Sequence, residues 1–192
     1  MPYDPPPEIA SLSITKIGEL IEARKLPPVE SWNPERTGDS KMRINSDGSW
    51  MHEGAPITRQ AMVRAFSSIL RRDAKGGYFL VTPYEKLRIE VADTPFIAVD
   101  VTSQGEGADR ILAFRLNTDD LVVAGPDNAI TISEENDEPV PYLHVRSGLN
   151  ARISRAVFYE LADMAISEHE NEDNEIIGLW SSGAFFAFEG NA

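Results

Sequence analysis

The chain has 192 residues, 42% hydrophobic and 26% charged, with a net charge of −13 and no cysteine. This length and composition suit one mid-sized or two small domains with a packed core. They exclude disulfides, thiol catalysis and thiolate metal sites, and the acidity argues against nucleic acid and anionic membrane, which both need a basic face.

No window of about 18 apolar residues marks a membrane span. The start, MPYDPPPEIA, lacks a basic segment followed by an apolar one, so no secretory signal is expected. A cytoplasmic protein is the expectation, and the absence of cysteine fits a reducing compartment. The charge is uneven: residues 1–100 carry 13 Lys and Arg against 14 Asp and Glu, and residues 101–192 carry 5 against 17. Cations for an anionic ligand are therefore expected mainly from the first half. The plainer reading is that the acidity only keeps the protein in solution.

In chain order, residues 1–8 hold four prolines and read as a loose arm. Leu12, Ile17, Leu20 and Ile21 share one face of a short amphipathic helix. LPPVESWNPERTGDSK reads as a loop pinned by Trp32. MRINSDGSWMHE reads as a hairpin with a two-residue turn at Asp47-Gly48, and Thr58 is placed to cap a helix over 58–72. Met62, Val63, Phe66, Ile69 and Leu70 form that helix's apolar stripe. YFLVTP, LRIEVAD, PFIAVDVTS, ADRILAFRLN, LVVAG, AITIS and VPYLHVR read as strands. A second long helix is predicted over 151–167, then a charged loop, HENEDNE. A closing hairpin turns at Ser181-Ser182-Gly183.

An echo links the halves. Trp50, His52, Ile57 and Phe66 fall on Tyr142, His144, Leu149 and Phe158, each 92 residues on without a gap. In both places a strand ends in aromatic-x-His, passes a break and leads to a helix with an early arginine, Arg59 or Arg152. This predicts a duplicated strand–turn–helix–strand unit. Shared strand-to-helix constraints give the competing explanation.

The run Asp47 to Ile57 (DGSWMHEGAPI), then Leu80 to Lys86 and Asp93 to Phe96, resembles a bacterial family known as domain of unknown function 1285. Agreement spans about residues 32–100 and is looser beyond. The resemblance implies an α+β fold with a duplicated core and a second domain superficially like a pleckstrin-homology barrel. It also implies a nucleotide-like ligand at the domain interface and a role in signalling under oxidative stress. The expected division is 1–95 and 96–192.

The candidate site residues are His52, Arg59, Lys86 and Arg88. His52 could hydrogen-bond a ligand, but a histidine at such a place more often ties strand to helix. Neighbouring Glu53 points to the other strand face and cannot share one target atom with it. Arg59 sits at a helix start, where free N–H groups also favour an anion. Lys86 and Arg88 alternate along one strand and share a face. Against this stands internal pairing, for example of Arg59 with Glu85 or Glu90. No metal-ligand spacing, phosphate loop or Gly-x-Ser-x-Gly elbow occurs, and EENDE and EHENEDNE read as solvated acidic runs.

The expected protein is a non-enzymatic binding or sensing protein with no catalytic residue, metal or cofactor. It would hold a small anionic, nucleotide-like ligand between its halves. The alternatives are an adaptor whose acidic second domain docks a protein partner, and a hydrolase using His52.

Overall fold

The structure, a computed structural model, describes residues 12–135, 138–169 and 176–188. The proline arm of residues 1–8 lies outside the described residues, as do parts of the acidic runs at 134–138 and 168–175.

Ser13 opens helix α1 (Ile14–Ala23), its Oγ accepting from the Lys16 N–H at 3.2 Å as a polar N-cap does. Ile17, fully buried, packs with Ala113, Leu121 and Val123. A helix from the start of the chain therefore lies on the second half. A short 3₁₀ turn follows at Val29–Ser31. The chain then forms β1 (Arg36–Ile44), β2 (Trp50–His52), β3 (Ala55–Pro56), α2 (Gln60–Ser68), β4 (Leu70–Arg72), β5 (Tyr78–Val81) and β6 (Glu85–Val91). These strands make one six-stranded sheet in the order β3-β2-β1-β6-β5-β4. Every neighbouring pair is antiparallel except β1 with β6.

The second sheet holds β7 (Phe96–Gln104), β8 (Ile111–Leu116), β9 (Leu121–Val123), β10 (Ile130–Glu135), β11 (Glu138–Arg146) and β12 (Leu149–Ile153). Its order is β10-β11-β12-β7-β8-β9, and again one pair alone, β7 with β12, is parallel. Helix α3 (Arg155–His169) and the hairpin of β13 (Gly178–Ser181) and β14 (Ala184–Ala187) complete the described chain. This is an α+β protein built on two six-stranded sheets.

The sheets share one plan: a three-stranded meander, a second meander, and a parallel joint between the first strand and the last. That plan is not the repeat predicted from the 92-residue echo. Trp50 and His52 lie on β2 and Tyr142 and His144 on β11, but α2 leaves the edge strand β3 and returns to its sheet at β4. Helix α3 leaves the central strand β12 and leads out to the separate hairpin. The connectivity differs, so the echo records a shared strand-to-helix constraint, while the common plan matches β2 with β8. The predicted helix over 151–167 begins instead at Arg155, because Leu149–Ile153 alternates buried residues toward the core as β12. The helix predicted over 58–72 ends at Ser68, because Leu70–Arg72 pairs with β5 as β4.

One core spans both sheets, including Trp50, Ile89, Phe96, Phe114, Leu143 and Leu161. Phe66 stacks on Trp50 with ring centroids 6.3 Å apart. Trp50 is 2% exposed, whereas Phe66 is only partly buried. The β1–β2 turn is longer than the two residues predicted. Asn45 accepts from Gly48 N–H at 2.9 Å, and Gly48 takes a left-handed φ of 79°. Two turns meet here: Asn117, in the β8–β9 turn, donates to the Gly48 carbonyl at 3.3 Å and accepts from Gln60 at its own carbonyl at 2.7 Å.

Two outcomes follow for stability. Phe66→Ala should cost roughly 2 kcal/mol in urea unfolding, below the 3–5 kcal/mol typical of a fully buried phenylalanine. A methyl group on Gly48 would stand 2.5 Å from Asn117 Nδ2 and 2.9 Å from Ile97 Cδ1, whereas Gly54, also at positive φ, has nothing within 4 Å. Gly54→Ala should therefore cost about 1–2 kcal/mol of backbone strain alone, and Gly48→Ala clearly more. Equal losses would mean that the contact across the sheets gives way freely.

Candidate functional site

A cavity of about 560 Å³ opens between the two halves. From the first half come α1, the residues after it and the middle of α2. From the second come the β8–β9 turn, β9 and the end of β11. The walls are aliphatic: Leu20, Ile21 and Leu26 on one side, Leu121, Val122, Val123 and Val145 on the other. Arg24, Arg64, Arg146, Asp119, Asp120 and Asn128 supply its polar groups.

Arg24 follows the last residue of α1, where its backbone N–H closes the helix on Leu20 and Ile21. Its Nε lies 2.5 Å from Oδ1 of Asp120, a carboxylate only 8% exposed. That contact is an ion pair without hydrogen-bond alignment, and Arg24 Nη2 is buried with no hydrogen-bond partner. The other Asp120 oxygen accepts from the Thr118 hydroxyl at 3.1 Å. Arg146 ends β11. Its Nη2 donates to the Ser67 carbonyl at 2.8 Å, tying β11 to α2, and its guanidinium lies 5.2 Å over the Phe96 ring. Burial pulls its pKa below the usual arginine value, with the Asp120 charge acting the other way, yet an arginine stays protonated. Arg64 sits half-buried on α2. Asn128 braces the far wall by donating to the carbonyls of His144 and Val145, both at 2.9 Å.

Asp119 takes a left-handed φ of 61° in the β8–β9 turn. Burial, and then the neighbouring Asp120 charge, raises its pKa above the usual carboxylate value. Arg115 offers only a 3.7 Å ion pair. The wall thus sets three arginines against two aspartates, one of which already faces Arg24.

The residues proposed from sequence stand elsewhere. His52 is exposed at the end of β2. Arg59, not Thr58, is the N-cap of α2; it is exposed and makes no side-chain cap. Lys86 lies 3.8 Å over the Phe79 ring and 4.0 Å from Asp73. Arg88 is exposed beside a separate depression of about 400 Å³ that Arg43, Tyr78 and Glu90 also border. None of the four lines the cavity between the halves. The reason is the pleat: Ile89 is buried on the core side of β6, so Lys86 and Arg88 face outward. His52 lies at the exposed end of β2, two residues beyond the buried Trp50. Glu85 pairs with Arg36 at 3.7 Å rather than with Arg59. His144, the echo of His52, is structural: its Nδ1 meets the Asp127 carbonyl at 2.8 Å and its Nε2 accepts from Gly148 N–H at 3.3 Å.

The arginines that do line the cavity escaped sequence reasoning. Their signals were slight: Arg24 closes the stripe of an amphipathic helix, and Arg146 is one of few cations in a strongly acidic half.

Two six-stranded sheets, each joined by one parallel pairing, define a two-unit α+β protein. The chain belongs to the DUF1285 family. Residues 27–94 match "Domain of unknown function (DUF1285), N-terminal domain", and residues 95–188 match "Protein of unknown function (DUF1285), C-terminal domain". It is similar to a DUF1285 family protein of known crystal structure from Silicibacter pomeroyi DSS-3, with 44% identity and a TM-score of 0.77, covering 91% of this chain and 93% of that one. It is also similar to one from Shewanella baltica OS155, with 26% identity and a TM-score of 0.52, covering 64% of this chain and 90% of that one. No curated protein matches the chain.

Asp119 gives a pH-dependent test. Its raised pKa means that folding favours the acid form. Its contribution to stability is therefore present below the ordinary value of 3.8 and lost as pH rises through the raised value. Asp119→Asn removes the buried charge and keeps a residue that tolerates left-handed backbone. Urea unfolding should show the variant more stable than wild type at pH 7, with the gain shrinking toward pH 4. A variant less stable at pH 7 would mean that the Arg115 contact outweighs the cost of burying the charge.

Proposed function

We propose that this protein is a non-enzymatic binding or sensing protein in bacterial signalling, of cytoplasmic location, for a small anionic ligand held between its two halves. One observation carries the reading: a cavity of about 560 Å³ receives arginines from both halves, Arg24 and Arg64 from the first and Arg146 from the second. The volume falls in the range of small-molecule sites, and such sites favour junctions between units. A ligand touching both halves would couple their relative placement to its presence, which is what a sensor requires. The location accords with the absence, among the described residues, of any helix long and apolar enough to cross a membrane. The helix that follows the last strand of the second sheet suits the pleckstrin-homology likeness in element order.

An adaptor is the second reading, and one feature favours it. Tyr159 and Ile166, seven residues apart on α3, are 63% and 47% exposed. They share a helix face with room for a partner. The hydrolase reading has less support, since His52 stands exposed outside the cavity.

A thermal-shift screen with nucleotides and other small anions tests the leading reading. At a hundredfold excess over Kd a ligand adds about 2.7 kcal/mol, which for a chain of this size raises Tm by roughly 5–10 °C. The shift should fall away in Arg146→Gln. If no anion moves Tm, the binding reading fails and the adaptor gains.

A further inference from the structure

The cavity's own chemistry specifies its ligand more narrowly, on the premise that it is a binding site. We infer that the site takes an aliphatic monocarboxylate, a single carboxylate on a flexible hydrocarbon body, and not a nucleotide.

Charge comes first. Asp120 lies 2.5 Å from Arg24 and Asp119 stands beside it on the same wall. Two fixed carboxylates on the wall repel a polyphosphate more strongly than they repel a single carboxylate. Arg146 has a backbone carbonyl and a ring as partners and no carboxylate within ion-pair distance among the described residues. Arg24 keeps Nη2 buried with no hydrogen-bond partner, a donor that a carboxylate oxygen would satisfy.

Shape and lining come second. The walls opposite each other are Leu20, Ile21 and Leu26 against Leu121, Val123 and Val145. No aromatic ring is among the lining residues, so a nucleobase would find no stacking platform. Branched aliphatic side chains fit an alkyl body and offer a sugar no hydrogen bonds. The wall built by α1 lies before residue 27, where the match to the family's N-terminal domain begins. Leu20, Ile21, Arg24 and Leu26 are therefore supplied by a segment outside the matched family domains.

The experiment is isothermal titration of the full chain with acetate, octanoate and decanoate below their micelle concentrations, with octanol and AMP as comparison ligands. Affinity should rise about fourfold per added methylene, acetate should be too weak to detect, and octanol should bind at least tenfold more weakly than octanoate. Arg24→Gln and Arg146→Gln should each weaken decanoate tenfold or more. Leu26→Trp, at a position 38% exposed, should obstruct the alkyl body without disturbing the core, and it serves if either arginine variant fails to fold. Binding of AMP with no binding of alkanoates would overturn the inference and leave the anion-binding reading standing. Absence of binding by any ligand would sink both. Alkanoate affinity unchanged in all three variants would place the binding elsewhere and overturn the inference.

Discussion

Each sheet depends on one parallel pairing, β1 with β6 and β7 with β12. Without it a six-stranded sheet would fall into two meanders of three strands, each too small to cover a core. The partners are far apart in sequence: Arg36 lies beside Glu85, and Phe96 beside Ala151. The chain must close a long loop before that pairing returns any free energy. Burial supplies the return. Ile44 and Ile89 in one joint, and Phe96, Ala98, Ala151 and Ile153 in the other, belong to the single core.

The two joints are held close by a short link. β6 ends at Val91 and β7 begins at Phe96, so the last strand of one sheet hands directly to the first of the next. Asp93, in this link, accepts from the Tyr142 hydroxyl at 3.1 Å and from Arg152 at 3.2 Å, both on the second sheet. Farther along the seam Arg72 reaches the Gly148 carbonyl at 3.1 Å and Arg146 reaches Ser67 at 2.8 Å. Guanidinium groups suit such a seam, because several donors in a fixed plane can meet backbone carbonyls without a full ion pair. The segregation of charge along the chain acquires a meaning here: Arg24 comes from the nearly neutral first half to meet Asp120 of the acidic second half. The cavity sits at that meeting point. Its arginines serve the seam: Arg24 ties the end of α1 to the β8–β9 turn, and Arg146 ties β11 to α2.

Local pattern makes much of the fold legible in the sequence. Period-two burial along LRIEV, and the Ser182-Gly183 turn with both residues at positive φ, are decisions taken within a few residues. The family, too, is written in short runs such as DGSWMHEGAPI. The errors fell where one local pattern served two structures. LNARI alternates as a strand but runs on into a helical spacing, and its pairing with β11 and β7 fixes it as β12. Arg59 and Arg88 looked purposeful by position, yet the pleat of β6 and the orientation of α2 turned them outward.

By itself, the sequence determined most of the element types, the two-part division of charge and the family, because spacing, turn residues and composition act over a few neighbouring positions. Tertiary structure alone decided which strands became central, that the repeat lies in sheet plan rather than in the 92-residue echo, and which arginines share a cavity. Arg24, Arg64 and Arg146 come from three distant segments. They meet because the parallel joints and the packing of α1 on β8 and β9 bring those segments together, and no local spacing encodes a contact that loop closure and core burial select.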